Sequence, residues 1–446
     1  MALQFSKVLR LVVVFSGVYC GIDTGAWAAP LEPSTAQDLP ELRLSLREAM
    51  EAAIDQNPTV RLFKERITQA QDVANTQLGE LLPNISGTVG GARRRFFTSQ
   101  FGGSPTVAGP RDFYEARAFL TQNVFSLSLI QRWRAAKAGV DVAGLDAEVT
   151  KRDTMATTGL IYLEALRAKA AVDARNADVA LNKELLRLAT ERKSAGMATS
   201  LDVTRAKVQL ENVRQRLLVA ENDRDRAKLN LIRTMGLSFE VRLMLTDEMK
   251  LVEVSEQSIG DALQIAKENR TELKAQKNRE RLASLTLSSV TNERIPSIQA
   301  LGDVGLIGNQ IPDALTTDSV QVLMRVPIFD GGQREGRISE SRSRVRQEAI
   351  RMQDVQYQVG LEVRDALITL SSAKQQVAVA EEGLKLSLTE LELARERFTV
   401  GVATNIEVTD AQTRVAQARD NLIEGLFTFN ASRLSLARAQ GQLEKL

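Results

Sequence analysis

An internal duplication constrains this chain more than any other feature. Leu82-Pro83-Asn84-Ile85 recurs as Ile295-Pro296-Ser297-Ile298, an offset of 296 − 83 = 213 residues. The same offset carries Leu46, Ala49, Met50, Ala53 and Val60 onto Ile259, Ala262, Leu263, Ala266 and Leu273 without a gap. Farther along, Ala189-Thr190-Glu191-Arg192 and Gly196-Met197-Ala198-Thr199 match Ala394-Arg395-Glu396-Arg397 and Gly401-Val402-Ala403-Thr404, and the offset is now 401 − 196 = 205. The change of eight residues fits a loop tip, where insertions are tolerated. Two copies of one supersecondary unit are expected, 44–236 and 259–441, joined by a segment 237–258 without strong periodicity. Residues 29–43 read as an extension and 442–446 as a tail.

Proline positions divide each copy into elements, because proline is poorly tolerated inside a helix. There is none between Pro110 and Pro296 and none after Pro327. Those stretches are rich in Ala, Leu, Glu, Arg and Gln and predict long helices. Pro83, Pro105, Pro110, Pro296, Pro312 and Pro327 bracket four segments that alternate with period two, giving hairpins at about 85–125 and 297–327. Tyr114, Ala116, Ala118 and Leu120 interleave with Glu115, Arg117, Phe119 and Thr121, and Val320, Val322, Met324 and Val326 with Gln321, Leu323 and Arg325. One face of each strand is apolar and the other mostly polar, which suits either a membrane barrel or a half-buried soluble sheet. The first strand, 85–95, has the weakest pattern, since Arg93, Arg94 and Arg95 run together and fit a polar rim.

Val363, Leu370, Val377, Leu384, Leu391 and Phe398 recur every seven residues, as do Val408, Val415, Leu422, Phe429 and Leu436. Ala411, Ala418, Gly425, Ser432 and Ala439 follow three residues later in each heptad of the second series. Strict heptads impose a left-handed seam, and small residues beside large ones let two helices approach closely. The first copy keeps most of this pattern, although Arg224 interrupts it. A helix over 332–398 would be roughly 100 Å long at 1.5 Å per residue, far more than a globular domain needs. Gly196 and Gly401 then end the long helices, and the chain returns along a partner.

At the N-terminus, Lys7 and Arg10 precede an apolar stretch at 11–18, and Ala26-Trp27-Ala28 offers a small-x-small cleavage site. Residues 1–28 read as a signal peptide for export. Removing Lys7, Arg10 and Asp23 takes the formal charge from +2 to +1, which gives no reason to expect a nucleic-acid partner. Cys20 is the sole cysteine and falls within that leader. Gly17-Val18-Tyr19 before it lacks the small residue that a lipidation site needs at its last position. With no histidine anywhere, Ser-His and Cys-His catalysis and Cys/His zinc sites are excluded, so no enzyme, cofactor or metal site is expected. No phosphate-binding glycine loop is present, and energy for any transport must come from a partner. No stretch after the leader has the ~18 apolar residues of a transmembrane helix, so membrane entry requires a closed β-barrel.

The ordered repeat, with Leu-Ser-Leu-Arg-Glu-Ala at 44–49, Asn57-Pro58 and the Gly-x-x-Thr turns at 196–199 and 401–404, resembles the TolC family of outer-membrane efflux proteins. The resemblance spans nearly the whole chain after the leader. It implies a mainly α protein with membrane β structure, in which four strands per chain join a 12-stranded trimeric barrel and the helices form a periplasmic α-barrel. It implies an exit duct in the outer membrane, working as a homotrimer with a periplasmic adaptor and an inner-membrane pump of the RND or ABC type. Gly196, Thr199, Gly401 and Thr404 would then form adaptor-docking tips. Glu407 and Asp410, three residues apart on one helix face, would line a periplasmic gate, with Asp202 at the matching site of the first copy. Carboxylates crowded into a constriction attract cations. Where better-known members place a tyrosine and an arginine that tie the closed end, this chain has Phe398 and Ala403. A soluble periplasmic coiled-coil adaptor or structural rod is the alternative that the helical pattern allows.

Overall fold

A computed structural model describes residues 40–98, 106–253 and 257–445. The expected signal peptide with Cys20, most of the extension at 29–43, residues 99–105 of the first hairpin with Pro105, residues 254–256 of the 237–258 segment and the last residue lie outside the described residues.

In chain order the elements are β1 (Glu41–Leu44), α1 (Leu46–Gln56), α2 (Pro58–Gly79), β2 (Asn84–Thr98), β3 (Thr106–Phe125), α3 (Leu127–Ser194) and α4 (Ser200–Met235). There follow β4 (Arg242–Leu245), α5 (Ile259–Asn269), α6 (Thr271–Thr291), β5 (Ser297–Gly308), β6 (Leu315–Arg325), α7 (Gln333–Thr399) and α8 (Asn405–Gln440). The sequence offsets are also the offsets between elements. α1 and α5 are both 11 residues long and start 213 apart, while α4 and α8 are both 36 residues long and start 205 apart.

Local chemistry sets several of these boundaries. Ser45 accepts from the Glu48 N–H while the Glu48 carboxylate takes the Ser45 N–H at 2.8 Å, a capping box that starts α1. Asn57 accepts from the Thr59 N–H at 2.7 Å, and Pro58 sits at the first helical position of α2, where its missing N–H costs nothing. No proline interrupts α3 or α7, and they run for 68 and 67 residues. At 1.5 Å per residue each is about 100 Å long.

The long helices are held as the heptads require. Val363, Leu370 and Val377 of α7 share one buried cluster with Phe429, Leu436 and Ala439 of α8. Nearer the turn, Leu391 and Phe398 pack with Val408, Ala411 and Val415. Gly425 puts no side chain between the helices, and a Cβ there would meet Val377 at 3.5 Å. Each fully buried Leu, Val or Phe contributes roughly 1.5–3 kcal/mol, so a charge at Val363 would break this seam.

β2, β3, β5 and β6 form one antiparallel sheet in that order. The two hairpins join through β3 and β5, where Ala118 faces Val304 and Leu120 faces Gly302. One face carries Ile85, Val89, Leu120, Val304, Val320 and Val322, all exposed. The opposite face is polar at its centre. Arg117 pairs with Asp303 of β5 and reaches across that strand to donate to Thr317 Oγ1 of β6 at 2.7 Å, while Ser319 donates to Asp303. Gly305 makes this possible, because a Cβ there would lie 2.5 Å from the Ala116 carbonyl oxygen and 2.9 Å from Arg117 Cβ. Among the described residues β2 and β6 each have a partner on one side only.

A second sheet was not foreseen. β1 and β4 pair in parallel, Leu44 beside Leu245, inside segments expected to be a bare extension and linker. Four residues apiece are too few to display a period. Leu44, Leu243 and Leu245 are buried in the cluster that holds Met50, Leu163 and Leu231. The fully buried Tyr162 of α3 sets its hydroxyl 3.0 Å from the Leu44 carbonyl and 3.0 Å from Asp247 Oδ2, two acceptors for its one proton, and Asp247 Oδ2 also takes the Leu46 N–H at 2.6 Å. Burial first, then the Asp247 charge, pushes the Tyr162 phenol well above its usual range.

Candidate functional site: the helical tips

Both long helices end in the same backbone motif. At the first tip Gly196 has φ +74°, its N–H donates to the Lys193 carbonyl at 3.0 Å, and the Met197 N–H reaches the Arg192 carbonyl at 2.8 Å. At the second, Gly401 has φ +85°, its N–H donates to Phe398 at 3.1 Å, and the Val402 N–H reaches Arg397 at 3.0 Å. These are Schellman closures, whose left-handed residue is usually glycine because a Cβ costs about 1–2 kcal/mol there. The space around both is open: nothing lies within 4 Å of a Cβ at Gly196, and only Arg192 Nη2, at 3.7 Å, approaches one at Gly401.

The return helices start differently. Thr199 and Asp202 form a reciprocal capping box: the Thr199 N–H and hydroxyl donate to Asp202 Oδ2 at 2.9 and 2.7 Å, and the Asp202 N–H donates to Thr199 Oγ1 at 3.3 Å. The Thr199 hydroxyl, then its N–H, hold the Asp202 carboxyl below its ordinary value, with Arg205 and Arg192 adding at longer range. Thr404, at the equivalent position, makes no side-chain cap bond. Glu407, the counterpart of Asp202, lies 3.8 Å from Arg397 instead. Asp410 is exposed one turn further on and has no ion pair among the described residues.

The structure therefore brings Gly196, Thr199 and Asp202 together in one turn and Gly401, Thr404, Glu407 and Asp410 in the other. Two residues outside the expected set join them. Asn405 Nδ2 donates to the Asp202 carbonyl at 3.5 Å. Arg192, at the end of α3, stacks 4.3 Å from the centroid of the Phe398 ring and donates to the Phe398 carbonyl at the end of α7. Phe398 is buried, so the position that lacks a tyrosine hydroxyl is gripped through its ring and backbone. Periodicity could not single out Arg192, which looks like any arginine of a solvated last turn. Its signal was the repeated Glu-Arg of 191–192 and 396–397.

Among the described residues no group of acidic, histidine or cysteine side chains is placed to hold a metal ion, and no helix is long and apolar enough to cross a membrane.

The chain matches the family model described as Outer membrane efflux protein over residues 49–237 and 262–442. It is 22% identical over 423 residues to the protein CyaE of Bordetella pertussis, an alignment covering 94% of this chain and 87% of that one. It is 20% identical over 345 residues to the outer membrane protein TolC of Escherichia coli, covering 73% and 69%. In fold it is similar to the outer membrane protein VceC of Vibrio cholerae, with a TM-score of 0.75 at 16% identity over 89% of this chain and 96% of that one.

Proposed function

The chain belongs to the outer membrane efflux protein family, and from that membership we propose that it is the passive outer-membrane exit duct of a tripartite efflux or type I secretion system. The observation that carries the finer reading is the four-stranded sheet. Its apolar face is exposed, its other face holds the Arg117–Asp303 cluster, and its two outer strands have unpaired edges among the described residues. Four strands cannot close a barrel, and open edges are not tolerated in lipid. Three chains supplying four strands each give a twelve-stranded barrel with apolar residues on lipid and the polar cluster in the lumen. A soluble adaptor gives no reason for that exposed apolar face.

The helices, about 100 Å long, would then extend the conduit through the periplasm. Their tips, far from the sheet, would receive the hairpins of a periplasmic adaptor, which links the duct to an inner-membrane pump of the RND or ABC type. Glu407 and Asp410 would ring the narrow end with carboxylates. Light scattering of the detergent-solubilised protein tests the assembly, with the mass of three processed chains expected. A stable monomer, or release of the protein from outer membranes by a carbonate wash, would defeat the proposal.

A further inference from the structure

Arg93, Arg94, Arg95 and Arg111 crowd the end of the first hairpin that lies farthest from the helices, since α2 leads into β2 and β3 leads into α3. The strand register divides them. Arg93 stands opposite Asp112 and Arg94 opposite Arg111, while Arg95 falls at the irregularity before Phe96. Alternate residues of a strand share a face, so counting by twos from Arg111 through Phe113 and Glu115 leads to Arg117. Arg94 and Arg111 therefore continue the polar face of the sheet. Arg93 and Asp112 continue the apolar face of Val89 and Leu120. The second hairpin does not reach this level, because β5 ends at Gly308 opposite Tyr114.

The two faces differ in how their charges are met. On the apolar side Arg93 lies 3.6 Å from Asp112. On the polar side Arg94 and Arg111 are exposed like charges directly opposite one another, and neither has an ion pair among the described residues. The next acid along that face of β3, Glu115, is held by Arg117 at 2.8 Å. Like charges in this position destabilise a hairpin, and a bound anion would offset that. Opposed residues have Cα atoms about 4.5–5.5 Å apart, close enough for two guanidinium forks to grip one oxyanion. Beside Arg111 a cleft of about 510 Å³ reaches the turn of the second hairpin, where Asn309 and Gln310 offer amide donors. Asp112 also lines it, with its charge already matched by Arg93.

We infer that Arg94 and Arg111 form an oxyanion site at the outer mouth of the duct, one per chain, that takes soluble polyvalent phosphates. This rests on the duct proposed above, which turns the polar face of the sheet to the lumen. Three chains would ring the exit with guanidinium groups, at the far end of the conduit from the carboxylates of Glu407 and Asp410. Arg93 and Asp112 offset one another on the lipid side, so the charges favour an anion in the lumen over a lipid headgroup.

Inorganic pyrophosphate is the probe, in planar-bilayer recordings of the full-length processed protein at about 0.1 M salt, where exposed charges still act over about 10 Å. It should block the wild-type current from one chamber and do little from the other. Arg94→Gln or Arg111→Gln alone should weaken block roughly tenfold, the worth of one charge-assisted hydrogen bond, and the double variant should lose it. Because the double variant removes a like-charge pair, its oligomer should melt no earlier than wild type. Arg93→Gln takes the same charge from the other face and should be blocked as wild type is. A conducting wild type that pyrophosphate does not block, block that survives in the double variant, or equal weakening by Arg93→Gln overturns the site and leaves the duct standing. Glycolipid phosphate that co-purifies with the wild type and not with the double variant, without block, would give the pair to lipid and overturn it as well. A protein that forms no channel overturns the duct itself.

Discussion

Arg192 lies over the ring of Phe398 and donates to the carbonyl of that same residue, so one side chain ties the ends of α3 and α7 together. The contact combines a cation–π interaction of about 0.5–1 kcal/mol with a charge-assisted hydrogen bond of roughly 1.5–3 kcal/mol. Arg192→Ala removes both and should loosen the tips. In planar bilayers the expected result is a higher single-channel conductance than wild type, with Arg192→Lys in between, because an ammonium has no planar face to stack. Equal conductance in all three proteins would rule out a closing role.

Gly401→Trp should export poorly while still inserting as an oligomer. The open space around Gly401 removes a steric objection, but its φ of +85° forces an indole into a left-handed backbone costing about 1–2 kcal/mol. That distorts the tip and leaves the sheet untouched. Normal export by this variant would count against docking at the tips.

Glu407 and Asp410 should make the pore cation-selective. Arg397 partly offsets Glu407, whereas Asp410 has no counter-charge among the described residues, so Asp410→Ala alone should give the larger loss of selectivity. Multivalent cations added from the periplasmic side should reduce conductance in wild type and much less in Glu407→Ala/Asp410→Ala. Unchanged selectivity and unchanged block in the double variant would remove both residues from the gate.

Asp202 caps α4 only as a carboxylate. Its folded-state value is depressed by Thr199, so its contribution is complete above the unfolded value of about 3.9 and is lost as pH falls through that value towards the depressed one. The stability difference between wild type and Asp202→Asn should stay flat from pH 8 to 5 and shrink towards pH 3. Thr199→Ala should cost about 1 kcal/mol at neutral pH. Thermal melts followed by helical circular dichroism would check both, and a difference that changes between pH 8 and 5 would contradict the assignment.

Tyr162→Phe should lower stability by roughly 0.5–1.5 kcal/mol, since it removes a buried hydrogen bond while the Leu44 carbonyl keeps the Thr246 N–H and Asp247 keeps the Leu46 N–H. A melting temperature equal to wild type would show that water takes the place of the hydroxyl.

The sequence discloses the long elements well and the joints between them poorly. Heptads from Val363 to Phe398 and from Val408 to Leu436 announce two helices and the seam between them, since a period of seven needs many residues to be visible and had them. The alternation in β3 and β6 announces which residues share a face. The β1–β4 pair stayed hidden because four residues show no period, and its partners are 201 residues apart. The same holds for Tyr162 and Asp247, and for Arg192 and Phe398. Each is a contact between distant segments, and a single sequence records neither partner's address. At the tips, the spacing of Thr199 and Asp202 allows a capping box, yet Thr404 and Glu407 have the same spacing and form none. Nearby Arg397 draws Glu407 away.

Tyr162 stands 35 residues from the start of α3 and 32 from its end, close to the middle of the rod. Below that pin about 48 Å of helix, at 1.5 Å per residue, runs to the tip without a proline. That arm is bundled with α4 and α8 along its length and tied to α7 at Arg192, so it can bend only together with them. Each degree of bend at the waist would carry the tip roughly 0.8 Å at that length, so a few degrees would be enough to widen the proposed aperture by about the width of an ion. In the proposed duct, a clamp at the waist would let the far end open while the wall in the membrane stays still.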